Sequence, residues 1–125
     1  MTKKRILIVD DEVALTRLMR IALEQTGKYE VRAENESTVV VAAAREFKPD
    51  LIVLDLIMPE QDGGDVAEAL SADPELKQIP IVFLSASVRQ SEIDANGGML
   101  GGYPFLAKPT SAEAIGAYIE KHLPA

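Results

Sequence analysis

The chain has 125 residues, 47% hydrophobic and 26% charged, with 13 lysines and arginines against 20 aspartates and glutamates for a formal net charge of −7. A domain of this length buries roughly two-thirds of the surface its unfolded form exposes, so a self-sufficient core is expected and a second domain is not. The acidic balance removes the counterion-release drive for binding a phosphate backbone, and the lack of cysteine excludes disulfides, thiolate metal sites and thiol nucleophiles.

Ile6-Leu7-Ile8-Val9 is a continuously apolar, β-rich run that predicts a strand covered on both faces. Val13 to Gln25 places Leu15, Leu18, Met19, Ala22 and Leu23 at helical spacing and predicts a first helix with those side chains inward, stopped at Thr26-Gly27. Tyr29 to Glu34 alternates, as an edge strand does. Ser37 to Phe47 predicts a second helix, opposed locally by the β-branched Val39-Val40-Val41 and ended by Pro49-Asp50. Leu51 to Leu54 and Ile81 to Leu84 are two further buried strands, with a third helix from Gly63 to Ala72 between them.

Gln90 to Asn96 allows barely two turns before Gly97-Gly98-Met99-Leu100-Gly101-Gly102 removes helical propensity, so the fourth helix should be short or mobile. Tyr103 to Ala107 is a weaker fifth strand. Thr110-Ser111-Ala112-Glu113 is a capping-box pattern, opening a fifth helix that buries Ile115, Tyr118, Ile119 and Leu123. Met58 and Met99 read as gap-filling core residues, and His122 as a surface group where an imidazole meets the last helix's dipole favourably. No apolar run approaches the roughly 20 residues of a membrane span, which leads us to expect a soluble, cytoplasmic chain with no membrane contact.

Strands alternating with helices predict an α/β, doubly wound (βα)5 fold on a five-stranded parallel sheet. In a parallel sheet the strand C-termini share one edge, where ligands bind. The residues delivered there are Asp10 and Asp11 after the first strand, Asp55 after the third, Ser85 after the fourth and Lys108 after the fifth. Converging carboxylates need a cation, because like charges raise one another's pKa and resist desolvation. Lys108 offers one, and an oxygen-only donor set also suits a hard divalent ion such as Mg²⁺. Taken alone, Asp10-Asp11-Glu12 would read as acids favoured at a helix start. Their coincidence with Asp55, Ser85 and Lys108 at three other strand ends argues for a site.

Over essentially its whole length the chain resembles the receiver domain of two-component response regulators. The resemblance is carried by Ile6 to Glu12 with the acidic pair, by Pro49 to Pro59 with Asp62-Gly63, by Ile81 to Ala86 with Ser85, and by Phe105 with Lys108-Pro109. It implies a flavodoxin-like sheet of order 2-1-3-4-5 with its switch point between the first and third strands. Asp55 would be the phosphoacceptor, taking a phosphoryl group from a phosphohistidine on a sensor histidine kinase or histidine phosphotransfer protein. Mg²⁺ would be bound by Asp11 directly, Asp10 largely through water, Asp55 by its carboxylate and Ile57 by its backbone carbonyl. Lys108 and the Ser85 hydroxyl would contact the phosphoryl oxygens, with a cis Lys108–Pro109 bond aiming the lysine.

Ser85 and Phe105 would then form the switch, coupling the site to a downstream protein partner on the face of the fourth helix, fifth strand and fifth helix. Ile57 and Ser87 would tune the acyl-phosphate lifetime, and the apolar Ile57 implies slow self-hydrolysis. Such a chain is a signalling switch that catalyses only its own phosphorylation and dephosphorylation, not an enzyme. The Gly97 to Gly102 stretch and Thr110 depart from the family pattern on the output face. At 125 residues the receiver would fill the chain, leaving output to a partner protein and not to nucleic acid.

Three rivals fit less well. A flavodoxin-like carrier needs a hydroxyl- and glycine-rich phosphate loop where Asp10-Asp11-Glu12 stand. A haloacid-dehalogenase-type phosphohydrolase wants a second aspartate where Ile57 stands. A degenerate receiver, acting only as a protein-binding module, would have lost one of Asp10, Asp11, Asp55 or Lys108.

Overall fold

A computed structural model describes residues 3–100, 102–108 and 111–123. Its elements are β1 (Lys4–Val9), α1 (Val13–Gln25), β2 (Tyr29–Glu34), a 3-10 turn (Ser37–Val39), α2 (Val40–Phe47), β3 (Leu51–Asp55), α3 (Gly63–Ala72), β4 (Ile81–Ser85), α4 (Gln90–Ala95), β5 (Met99–Leu100), β6 (Tyr103–Ala107) and α5 (Ala112–His122). The sheet runs β2-β1-β3-β4-β6-β5. Its first five members are mutually parallel, with β3 pairing β1 from Ile6↔Leu51 to Val9↔Leu54 and β4 pairing β3 up to Asp55↔Leu84. This is the expected 2-1-3-4-5 order, with β6 as the fifth parallel strand.

Successive residues of the buried strands feed two separate cores, as the period of two requires. Leu7, Val9, Ile52, Leu54 and Phe83 face α2, α3 and α4. Ile6, Ile8, Val53, Val82 and Leu84 face α1 and α5. Both faces of β1, β3 and β4 are thereby covered, which is why these strands read as unbroken apolar runs.

Several local expectations are corrected. The glycine stretch does more than stop α4: Gly97 and Gly98, at φ 69° and 84°, lead the chain out of the helix into Met99 and Leu100, which add an antiparallel edge strand opposite Pro104 and Tyr103. Only glycine adopts these left-handed angles without steric cost. Met99 is consequently 39% exposed, whereas Met58 is buried as expected. On α1 Met19 and Leu23 are buried and Leu15 packs against the core as expected, but Thr16 is buried as well and Leu18 is 66% exposed. A threonine can take that place because its hydroxyl donates to the Val13 carbonyl at 3.1 Å.

The second predicted helix splits into a 3-10 turn and α2 at Val39–Val40, where β-branched side chains crowd the helical turn. At α5 the cap is Ser111, whose Oγ accepts the Ala114 N–H at 3.0 Å, one residue beyond the expected Thr110. Thr110 and the Lys108–Pro109 bond lie outside the described residues. His122 sits in the last turn of α5, with its ring 4.7 Å from that of Tyr118. Burial, reinforced by Lys121, holds its pKa below the ordinary histidine value.

Candidate functional site at the carboxyl edge of the sheet

Asp10 follows β1 directly, with its N–H on the Glu34 carbonyl of β2 at 3.2 Å and its Oδ1 accepting the Glu12 N–H at 2.9 Å. Asp55 is the last residue of β3, and the following Leu56 N–H bonds to the Leu84 carbonyl of β4 at 2.9 Å. Lys108 follows β6 and is fixed by its N–H on the Ser85 carbonyl at 2.8 Å. Carboxylate oxygens of Asp10, Asp11 and Asp55 all lie within 4.8 Å of one another. Asp10 and Asp55 are buried, while Asp11 is exposed.

Lys108 Nζ reaches three carboxylates at once: Asp10 Oδ2 at 2.5 Å, Glu12 Oε1 at 2.9 Å and Asp55 Oδ2 at 3.4 Å. Glu12 is a partner that the sequence pointed to only as one more acid at a helix start. Burial opposes the charge on Lys108, but Asp10, Glu12 and Asp55 together outweigh it and hold its pKa above the ordinary lysine value. The balance falls the other way for the acids. Burial raises the Asp10 pKa despite Lys108 and the Glu12 N–H. Burial, then the Asp10 charge, pushes Asp55 up to about 6 against the pull of Lys108 and the Ile57 N–H.

One lysine therefore leaves this cluster short of positive charge. Asp10 Oδ2 is buried without a well-formed hydrogen bond among the described residues, having only the close charge of Lys108. An all-oxygen donor set with one such atom fits a hard divalent cation.

The remaining expected residues behave differently. Ser85 is 1% exposed, and its hydroxyl is engaged by Ser87, with the two Oγ atoms 2.9 Å apart and the Ser87 N–H donating at 3.1 Å. Phe105 is buried, its ring 5.1 Å from that of Phe83, which Tyr103 meets edge-on at the same distance. Ile57 is 61% exposed, its N–H turned to the Asp55 carboxylate.

Behind Asp55, α3 starts in contact with the end of β3. Its N-cap Asp62 accepts the Asp65 N–H at 2.9 Å, and the Gly63 N–H bonds to the Leu56 carbonyl. A Cβ on Gly63 would stand 2.4 Å from the Asp55 carbonyl oxygen and 2.8 Å from Leu56 Cα. Gly63→Ala is therefore expected to destabilise the protein by about 3 kcal/mol, since backbone on both sides must shift. Urea unfolding checks this, and an unchanged midpoint would show that α3 can back away freely.

The acidic pair, the strand-end aspartate and the lysine on a parallel sheet of this order define a receiver. The chain belongs to the response regulator receiver domain family, which it matches over residues 6–120. It is 36% identical over 111 residues to the DNA-binding dual master transcriptional regulator RpaA of Synechocystis sp., a match covering 89% of this chain and 45% of that protein. The chain spans about half the length of the curated relatives it matches. Among solved structures, a response regulator from Desulfuromonas acetoxidans superposes with a TM-score of 0.79 at 28% identity, covering 94% of each chain. The Vibrio cholerae chemotaxis protein CheY4 shares the fold, with a TM-score of 0.82 at 24% identity over 98% of this chain and 100% of that one. Receiver domains are signalling switches of two-component systems and not classical enzymes.

Proposed function

We propose that this receiver is phosphorylated on Asp55. The observation that carries the reading is the setting of that carboxylate, buried at the end of a central strand, within 4.8 Å of the Asp10 and Asp11 oxygens and 3.4 Å from Lys108 Nζ. One Asp55 oxygen attacks the phosphorus of a phosphohistidine, the P–N bond breaks, and its electron pair leaves with the imidazole, giving an acyl phosphate. Asp10, Asp11, Asp55 and the Ile57 carbonyl would hold Mg²⁺, which supplies charge neutralisation at the transferring phosphoryl group when bound. Lys108 is already poised to exchange Asp55 and Glu12 for phosphoryl oxygens, and Ser85 to leave Ser87 for them.

The donor is a sensor histidine kinase or a histidine phosphotransfer protein. Val13, Leu18 and Ile21, exposed on α1, together with the exposed Ile57 in the loop after Asp55, offer it apolar contacts. Movement of Ser85 toward the phosphoryl group frees space that the Phe105 ring can enter, carrying the change to a downstream protein on the α4–β6–α5 face. The net charge of −7 disfavours nucleic acid as this domain's direct target, and the chemistry belongs in the cytoplasm with its kinase. No described helix is long and apolar enough to cross a membrane.

Incubation with Mg²⁺ and a small phosphodonor is expected to give an acid-stable, base-labile phosphoprotein, and Asp55→Asn to abolish it. Absence of labelling, or labelling that survives the substitution, would overturn the assignment.

A further inference from the structure

The loop between β2 and α2 brings no ligand to the acidic cluster, yet it touches both of the loops that do. Asn35 Nδ2 donates to the Asp10 carbonyl at 2.8 Å and to Thr16 Oγ1 at 2.9 Å. Both of its amide hydrogens are thereby used, one on the turn that carries Asp10 and Asp11 and one on the first turns of α1, where Thr16 is buried. Two residues on, the buried Ser37 donates its hydroxyl to the Pro59 carbonyl at 3.1 Å, in the loop that leaves Asp55 through Ile57. These contacts span 25 and 22 residues of sequence, so they fix tertiary geometry and not a local turn.

We propose that Asn35 and Ser37 are positioning residues, forming a strut that holds the Asp10-Asp11 turn and the Ile57-Pro59 segment at the separation a divalent cation requires. The inference rests on the cation-dependent acceptor reading given above. Groups that orient metal ligands from behind typically change affinity by about 10- to 100-fold when removed. The chemistry also dictates the residue types. A side-chain amide donates to a carbonyl and a hydroxyl together without adding charge, whereas a carboxylate at position 35 would face the Asp10 carbonyl with a lone pair. At position 37 any hydroxyl of similar reach would serve.

The test is calorimetric titration of the whole protein with MgCl2, alongside urea unfolding of the metal-free form, for wild type, Asn35→Ala, Ser37→Ala, Ser37→Thr and the double alanine variant. The expected result is a loss of Mg²⁺ affinity of about tenfold or more in each alanine variant and near-wild-type affinity in Ser37→Thr. The double variant should lose less than the product of the single losses, because the two residues brace one geometry. Should Asn35→Ala not fold, the contrast between Ser37→Ala and Ser37→Thr decides alone. Alanine variants that are less stable but bind Mg²⁺ within twofold of wild type would overturn the strut while leaving the acceptor reading intact. A wild-type protein that binds no Mg²⁺ would instead overturn the reading on which the strut rests.

Discussion

Lys108→Met is expected to cost the metal-free protein about 3–5 kcal/mol of stability at pH 8, the range found when one partner of a buried ion pair is removed. The lysine side chain is only 10% exposed and is the sole cation touching Asp10, Glu12 and Asp55 among the described residues. Methionine fills much the same volume, so the loss reports charge and not a cavity. In the wild type this contribution persists across the neutral range, because the folded-state pKa of Lys108 is raised above its ordinary value and the lysine stays charged. In the variant two dependences should appear. The deficit should shrink as pH falls toward 5, since Asp55, already titrating at about 6 beside Lys108, titrates still higher without it and can take a proton. Millimolar Mg²⁺ should also restore stability by mass action if the acids accept it in place of the ammonium. Urea unfolding at pH 8 and pH 5.5, with and without MgCl2, measures all three. A deficit of the same size under every condition would mean that Lys108 acts through packing and not through its charge.

The parts of the fold that were readable from the sequence are those in which one physical rule acts alone. Continuous runs such as Ile6–Val9 and Leu51–Leu54 have one meaning in a strand covered on both faces, and the residues at their ends inherit a place on the sheet edge. Asp10, Asp11, Asp55 and Lys108 therefore come together as their positions at strand ends imply. Where two rules competed, the sequence was mute. The apolar stripe on α1 places Leu15, Met19 and Leu23 against the core but also points to Leu18, which is exposed, while Thr16 turns inward because the Val13 carbonyl and Asn35, 19 residues away, together satisfy its hydroxyl. The extra edge strand depends on left-handed angles at Gly97 and Gly98, which a sequence presents only as helix breakers. Asn35 and Ser37 followed the same strand-end rule as the acids, after β2, but as uncharged residues they gave no electrostatic conflict to notice. The contacts of Glu12 and Ser87 emerge only in the fold, because nothing in their spacing says that one meets Lys108 and the other engages Ser85.

Asp55→Asn should move stability in the direction opposite to Lys108→Met. An acid whose pKa stands at about 6 in the folded protein and 3.8 otherwise holds its proton more tightly when folded. Between those two values the folded state binds more protons than the unfolded state, so stability falls as pH rises through that window and then levels off. At about 1.36 kcal/mol per unit, the penalty at pH 7 reaches up to about 3 kcal/mol. Asparagine is isosteric and uncharged. It is thus expected to stabilise the metal-free protein at pH 7 by up to that amount, and to flatten the fall between pH 4 and pH 6, leaving the same-signed contribution of Asp10. Asp73 acts with the reverse sign and elsewhere on the pH scale: Arg45 holds its pKa below the ordinary value, so its contribution is lost only as pH drops below about 3.8. Unfolding midpoints of both proteins from pH 4 to pH 8 decide the matter, with Mg²⁺ closing the gap from the wild-type side because it lifts wild type and has lost a ligand in the variant. Equal stability of the two proteins at pH 7 would show that Lys108 and the Ile57 N–H fully compensate the buried charge. Asp55 would then not be a residue whose ionised form is maintained against the stability of the fold.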